Sequence, residues 1–323
     1  MSVNGIPIVF GGGIFWTASV EETSAWLKLL KEFDISTIDT AQGYGTSQDV
    51  MGEAGAASQF TIDTKFSAVV GPTKADKETV IASGKDSLKK LKTDQVDVYY
   101  IHGPDRRVPF KETLEGINEL YKQGAFKRFG LSNFRADEVE EVVRIAKENN
   151  FVLPTVYQGN YNAVARRTET EIIPTLRKHG IALYAYSPIA GGFLSKSKEE
   201  LVDPNGRFGK GDHLAKLYNG LYNHPSYVAA LDDWQRIAQS EGATRAELAY
   251  RWIFWHSQVD GKLGDAIIVG ASRESQLRET MDAVKKGPLS AEALKGIDQI
   301  WEDVKADAPL DNFEVIFAQN VNQ

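Results

Sequence analysis

Residues 96–105 read VDVYYIHGPD, a short run of apolar, β-branched and aromatic residues that leads to the ionisable His102. Similar runs recur about every 30 to 40 positions, each followed by a segment with the apolar spacing of a helix. Strands buried on both faces of a parallel sheet have this composition, whereas half-exposed antiparallel strands alternate. The pattern predicts eight βα units, with strands at Ile6 to Phe10, Thr37 to Asp39, Phe60 to Lys65, Val96 to His102, Lys127 to Leu131, Thr155 to Gln158, Ala182 to Tyr186 and Ala266 to Gly270.

The segments between these strands carry apolar stripes at helical spacing. The first helix begins at a predicted capping box, Ser19 to Glu22. A further stripe beyond the last strand predicts an extra C-terminal helix, on Leu294, Ile297, Trp301 and Val304. Eight strands alternating with eight helices predict an α/β fold, the (β/α)8 TIM barrel, with the helices outside.

The chain has 323 residues, which suits one such barrel of about 250 residues with insertions. No Pro/Gly/Ser-rich linker divides it, so we expect a single domain over residues 1–323. The segment from Ala190 to Tyr227, after strand seven, breaks the regular spacing. Its glycines, basic residues and aromatics predict a long mobile loop over the site.

Composition excludes several kinds of chemistry. Lys plus Arg number 37 and Asp plus Glu 44, a net charge of −7, which argues against nucleic acid and anionic membranes as partners. The absence of cysteine removes disulfides, thiolate nucleophiles, zinc–cysteine sites and iron–sulfur clusters. The five histidines include no pair at metal-ligand spacing, so we expect no metal. With no signal peptide and no run of about 20 apolar residues, the predicted location is cytoplasmic.

Three ionisable residues end three successive predicted strands: Asp39, Lys65 and His102. In a barrel the carboxyl ends of the strands meet at one rim, which is where active sites lie. Tyr44 follows Asp39 by five positions, on a glycine-flanked turn that can bring its ring over that rim. Four titratable groups at one rim are better explained as an active site than as four separate structural residues.

Longer motifs agree with this interpretation: GLSNF at 130–134, PTVYQGNYNA at 154–163 and YAYSPIAGGFL at 184–194. Together with DTAQGYG at 39–45 and FTIDTKF at 60–66, they cover most of the strand ends. With these motifs the chain resembles the aldo-keto reductases over essentially its whole length, with closest likeness to the aflatoxin-aldehyde reductase branch. The resemblance implies that Asp39, Tyr44, Lys65 and His102 are catalytic, and that the reaction is NADPH-dependent reduction of aldehydes or ketones to alcohols.

Carbonyl reduction explains why these residue types are needed. Hydride addition puts negative charge on the carbonyl oxygen, so a positioned acid must supply a proton. Tyr44 is the expected acid, and the Lys65 ammonium is expected to lower its pKa while Asp39 holds Lys65 in place. His102 is expected to orient the carbonyl.

The resemblance also implies the cofactor contacts. Ser132, Asn133 and Gln158 would hydrogen-bond the nicotinamide carboxamide, and Tyr186 would stack on the nicotinamide ring. Asp39 would also contact the cofactor. The pyrophosphate would lie along Ser187, Pro188, Ile189, Gly191, Gly192, Leu194 and Lys196. At the start of the last barrel helix, Gly270, Ser272, Arg273 and Gln276 would bind the 2′-phosphate, which favours NADPH over NADH, and Glu279 would contact the adenine.

Aromatic and apolar residues near the strand ends predict the substrate pocket. By analogy it is formed by Ile14, Phe15, Trp16, Tyr218 and Tyr222 beside Tyr44 and His102, with Phe134 as a further candidate. This lining favours aldehydes with apolar or aryl bodies. LYNGLYN at 217–223 contains no arginine, which argues against aldehydes that carry a carboxylate.

The sequence also leaves two other functions open. Lys65 could act as a Schiff-base nucleophile in an aldolase-like barrel, although an adjacent Asp39 keeps its amine charged. A binding subunit that senses the nicotinamide redox state could also retain all four residues. The expected partner is a small-molecule carbonyl substrate, and the oligomeric state stays open, with a homo-oligomer as one option.

Overall fold

The computed structural model of the chain describes residues 1–67, 73–204, 206–209, 211 and 213–314. Its strands form one continuous sheet. Their bounds are β1 Ser2–Val3, β2 Ile6–Gly11, β3 Thr37–Asp39, β4 Thr61–Phe66, β5 Val96–Ile101, β6 Phe126–Ser132, β7 Pro154–Asn160, β8 Ala182–Tyr186 and β9 Ala266–Val269.

The strands β2 to β9 form a closed parallel barrel. Each strand pairs with the next along the chain, and β9 returns to pair with β2 through registers such as Ile8 opposite Ile267. The predicted TIM barrel is therefore confirmed. The short strand β1 is an addition that the sequence pattern does not predict, and it pairs antiparallel with β2 through a turn at Asn4 and Gly5.

Helices follow the barrel strands. Their bounds are α1 Val20–Glu32, α2 Ser47–Glu53, α3 Lys77–Leu91, α4 Phe110–Lys122, α5 Ala136–Asn149, α6 Arg167–Glu171, α7 Ile173–His179, α8 Lys198–Leu201, α9 His213–Tyr222, α10 Pro225–Ser240, α11 Arg245–Trp255, α12 Glu274–Val284 and α13 Ala291–Val304. The capping box of α1 is present, because Ser19 and Glu22 each accept a backbone N–H from the other. The predicted extra C-terminal helix is α13, which buries Ile297 and Val304.

The long connection after β8 is mostly helical in its described part. After a 3₁₀ turn at Ala190–Ser195 it forms α8 and α9 and then enters α10. The ring of Phe193 stacks on Tyr222, and the Trp234 indole N–H donates to the Leu194 carbonyl at 3.0 Å. These contacts fix the start of the connection against α9 and α10.

A separate apolar cluster fills the inside of the barrel. It includes Val9, Val98, Tyr100, Val156 and Ile268, which point inward from four different strands. Because this cluster closes the interior, the polar side chains that end the strands are gathered at the carboxyl rim. At their carboxyl ends β5 and β9 are one residue shorter than predicted, so that His102 and Gly270 begin loops. The strands β2, β4 and β6 run one residue further than predicted, and β7 runs two residues further.

Candidate active site

A buried ion pair joins the ends of β3 and β4. The Nζ atom of Lys65 lies 2.5 Å from Asp39 Oδ2 and 2.8 Å from the Thr40 carbonyl oxygen. The other Asp39 oxygen accepts from Gln158 Nε2 at 2.9 Å. Burial lowers the pKa of Lys65, but the attraction of Asp39, Tyr44 and Asp63 and the hydrogen bond to Asp39 together outweigh it, so the pKa is raised. Lys65 is therefore a fixed ammonium group.

Tyr44 lies beside this pair, on a turn that two backbone hydrogen bonds close. The Tyr44 N–H donates to the Ala41 carbonyl, and the Tyr44 carbonyl accepts from the Ser47 N–H. The centroid of its ring is 5.0 Å from Lys65 Nζ. The ring stacks on that of Trp16, with the two centroids 6.1 Å apart. Burial raises the pKa of Tyr44, and the attraction of Lys65 for the phenolate offsets this only in part. The expectation of a lowered pKa is wrong, since desolvation is the larger effect. Tyr44 is thus held as a protonated phenol.

His102 faces Tyr44 across the rim, with the two rings 5.8 Å apart and edge to face. Burial, helped by the positive charge of Lys65, lowers the pKa of His102 to about 3. The imidazole is therefore neutral at physiological pH. Its Nδ1 atom is 2.8 Å from Ser67 Oγ, and its carbonyl oxygen accepts from Asn133 Nδ2 at 2.8 Å.

The residues expected at the nicotinamide form one hydrogen-bonded network across β6, β7 and β8. Ser132 Oγ donates to the Gln158 carbonyl, and Asn133 Nδ2 donates to Ser132 Oγ, both at 2.9 Å. The Tyr186 hydroxyl donates to Asn133 Oδ1 at 2.7 Å. Gln158 also bonds Asp39, so this network is continuous with the buried ion pair.

The strip expected at the pyrophosphate runs directly from the end of β8. Gly191 and Gly192 have φ values of 64° and 102°, which side chains rarely allow. A Cβ atom at Gly192 would meet no atom within 4 Å, so the backbone there is open to a ligand. Lys196 Nζ is 4.0 Å from Glu200, and Leu194 is buried in the core. The remaining predicted members of the strip are Ser187, Pro188 and Ile189, which join Tyr186 to it.

The group expected at the 2′-phosphate lies at the N-terminus of α12. Ser272 donates to Gln276 Oε1 through both its N–H and its hydroxyl, at 2.9 and 2.8 Å. Arg273 is exposed, and its guanidinium makes no hydrogen bond or ion pair with any residue that the structure describes. Gly270 has open space around its Cα, and Glu279 is exposed on the following turn. An unpaired guanidinium beside a helix N-terminus suits an anion.

The residues expected to line the substrate pocket divide into two groups. Trp16 is 43% exposed at the rim, and Ile14 and Tyr218 are half-buried, so they can meet a ligand. Tyr218 packs against Gly191 and under the guanidinium of Arg207.

Three other predicted pocket residues are core residues in this structure. Phe15 is fully buried against Phe10, which in turn stacks on Trp26, and Phe134 is buried near Phe110. Tyr222 is fully buried and its hydroxyl accepts from Asn160 Nδ2 at 3.0 Å. Aromatic residues suit packing and ligand contact equally, so residue type alone does not separate these roles.

A C-terminal segment adds residues that the sequence does not reveal. The Phe313 ring lies edge-on to His102 at 5.7 Å, and the Asn312 N–H donates to the Tyr186 hydroxyl at 3.3 Å. Asp311 shapes this segment by accepting the N–H groups of Phe313 and Glu314. The only local signal is this Asp-led turn, which does not indicate that it folds over the rim.

Comparison with known proteins identifies the family. The model of the aldo/keto reductase family matches residues 7–302. The chain belongs to the aldo/keto reductase family. The resemblance inferred from the motifs is thus confirmed, and this aldo-keto reductase is an oxidoreductase that uses a nicotinamide cofactor.

Named relatives of this aldo-keto reductase align along most of its length. It is 39% identical to the oxidoreductase sirO of Leptosphaeria maculans, over 94% of this chain and 93% of that protein. It is 35% identical to an aldo-keto reductase of Pseudocercospora fijiensis, over 87% of this chain and 98% of that protein. The aflatoxin B1 aldehyde reductase member 2 of Mus musculus is 36% identical, over 89% of this chain and 82% of that protein. Within the described residues, this aldo-keto reductase has no helix of the length and apolarity needed to cross a membrane.

Proposed function

We propose that this aldo-keto reductase reduces aldehydes to alcohols with NADPH, with ketones as further candidate substrates, and that Tyr44 is the general acid. The observation that carries the proposal is a protonated Tyr44 beside a fixed Lys65 ammonium, with a neutral His102 opposite. A relative named as an aflatoxin B1 aldehyde reductase supports aldehydes as the substrate class.

The residues of the rim fit a nicotinamide dinucleotide. Open backbone at Gly192 and Gly270 leaves room for a close approach, and the unpaired Arg273 offers a cation for a phosphate. The amide side chains of Asn133 and Gln158 can meet a carboxamide. When bound, the reduced cofactor supplies a hydride to the carbonyl carbon.

Asp39, Tyr44, Lys65 and His102 each have a distinct role in this reaction. The Tyr44 hydroxyl donates a hydrogen bond and then its proton to the carbonyl oxygen, as negative charge develops there. Lys65 stabilises the phenolate that remains, and Asp39 holds Lys65 in position through the 2.5 Å contact. His102 supplies the second contact to the same oxygen and fixes its direction.

The shape of the rim supports uncharged aryl or apolar aldehydes. Trp16, Tyr44, His102 and Phe313 place aromatic rings around the point where the carbonyl would lie. Residues 217–223 provide no arginine for a carboxylate. The buried Asp39 keeps Lys65 charged, so a Schiff-base reaction at Lys65 is disfavoured.

We expect the enzyme to oxidise NADPH much faster than NADH at equal subsaturating concentrations, with an aryl aldehyde as substrate. Arg273→Ala should raise KM for NADPH about ten- to 100-fold, the scale of a lost charge-assisted hydrogen bond, and should leave KM for NADH nearly unchanged. The rate of loss of nicotinamide absorbance, over a panel of aryl, aliphatic and carboxylate-bearing aldehydes, measures the preference between the two cofactors and the change in KM.

Arg278→Ala is the matched control, because Arg278 lies on α12, which Arg273 directly precedes, but pairs with Glu32. Equal use of both cofactors by the wild type would contradict the assignment of the phosphate site. Tight NADPH binding with no turnover on any aldehyde would instead favour a nicotinamide-sensing subunit.

The pH dependence of aldehyde reduction follows from two pKa shifts. The reaction needs a protonated Tyr44, whose pKa is raised above 10.0, and a neutral His102, whose pKa is lowered to about 3. We therefore expect kcat/KM to stay level from about pH 5 to pH 9 and to fall only at higher pH, as Tyr44 loses its proton. A profile at constant ionic strength tests this, and an acid limb near pH 6.5 would show that His102 titrates in the reaction.

A further inference from the structure

Ser67 lies directly after β4 and is hydrogen-bonded to His102. The roles proposed for Asp39, Tyr44, Lys65 and His102 do not account for this bond. The Ser67 Oγ atom is 2.8 Å from His102 Nδ1. The Ser67 N–H donates to Gln42 Oε1 at 3.4 Å, and the same Gln42 oxygen accepts from Ser83 Oγ at 2.7 Å. A Cβ atom at residue 43 would lie 3.2 Å from Ser67 Oγ, so Gly43 leaves the space that this hydroxyl occupies.

Backbone hydrogen bonds and two aromatic rings also hold His102 in place. Its backbone N–H donates to the Phe66 carbonyl at 2.9 Å, and its carbonyl accepts from Asn133. Tyr44 and Phe313 contact the ring at interplanar angles of 76° and 72°. In the described part of the chain, Ser67 Oγ makes the only hydrogen bond to a ring nitrogen of His102.

The ring carries one proton, and its position decides what His102 can do. With the proton on Nδ1, Ser67 would accept it, and Nε2 would present a lone pair to the carbonyl oxygen. With the proton on Nε2, Ser67 donates to Nδ1, and Nε2–H can donate to that oxygen together with Tyr44. The Ser67 hydroxyl has no other acceptor among the described residues, which favours the second arrangement.

We propose that Ser67 is a positioning residue whose hydroxyl donates to His102 Nδ1 and keeps the ring proton on Nε2, aimed at the substrate oxygen. The catalytic consequence rests on the proposed reductase function, whereas the location of the proton does not. The assignment therefore predicts both a spectroscopic state of the resting protein and a rate effect.

The experiment uses full-length protein labelled with ¹⁵N-histidine and long-range proton–nitrogen correlation spectra at pH 7. His102→Gln identifies the His102 signals among those of the five histidines. For wild type we expect a protonated Nε2 and an unprotonated Nδ1. In Ser67→Ala the two nitrogen shifts should move toward each other as the tautomers mix, and kcat should fall about five- to tenfold, the scale of one lost hydrogen bond, with KM for NADPH unchanged. Ser67→Thr, which keeps the hydroxyl, should restore both.

A wild-type spectrum with the proton on Nδ1 would overturn the assignment. So would nitrogen shifts in Ser67→Ala that equal those of the wild type. The wild-type spectrum decides the matter even if Ser67→Ala folds poorly. Because the tautomer is measured without turnover, an inactive protein would overturn the proposed reaction and leave the position of the proton established.

Discussion

Tyr44→Phe is expected to lower kcat/KM for aldehyde reduction by about 10²- to 10⁴-fold, the usual contribution of a general acid. The substitution removes the only proposed proton donor, while the ring can keep its stacking on Trp16 at 6.1 Å. NADPH binding, followed by fluorescence quenching, should remain at the wild-type level. The loss should therefore lie in kcat rather than in the affinity for the cofactor.

Tyr121→Phe is the matched control for this substitution. Tyr121 is 43% exposed and its ring contacts Phe126, at the start of β6, so it lies at the opposite end of the barrel from the rim. Its loss of a hydroxyl should leave kcat/KM unchanged. Retention of nearly full activity by Tyr44→Phe would show that another group or water donates the proton.

Lys65→Met is expected to lower the free energy of unfolding by about 3–5 kcal/mol, the cost of leaving a buried charge without its partner. Lys65 is fully buried, and in its absence Asp39 Oδ2 loses the ammonium group that it contacts at 2.5 Å. Turnover should also fall, because nothing remains to stabilise the Tyr44 phenolate. Guanidinium chloride unfolding and steady-state kinetics measure the two effects.

The double variant Lys65→Met/Asp39→Asn separates stability from catalysis. It removes both charges, so it should recover most of the lost stability, since a neutral amide can still bond Gln158. Its activity should stay as low as that of Lys65→Met. Recovery of activity along with stability would mean that Lys65 only supports the fold.

Much of the barrel and its catalytic rim follows from local sequence. The apolar runs that precede Asp39, Lys65 and His102 predict strands within one residue of their observed ends, because burial on both faces requires such runs. The convergence of these residues then follows from the parallel topology alone. The capping box at Ser19 is equally local, since its two partners are three positions apart.

Other features depend on contacts between distant segments. Phe313 reaches His102 from far along the chain, and no pattern around residue 313 indicates that contact. The hydrogen bond between Ser67 and His102 joins the ends of two strands whose side-chain directions the sequence does not specify. The pKa of Tyr44 depends on how far its ring is desolvated, so the Lys65 neighbour alone predicts the wrong direction.

In the proposed reaction a hydride passes from the cofactor to the carbonyl carbon while Tyr44 protonates the oxygen. We would incubate the enzyme with NADPH carrying two deuterium atoms at C4 and an aryl aldehyde, and analyse the alcohol by mass spectrometry. We expect one deuterium on the carbinol carbon of the wild-type product, and product formation at least about 10²-fold slower with Tyr44→Phe. An alcohol without deuterium, or equal rates for the two proteins, would contradict it.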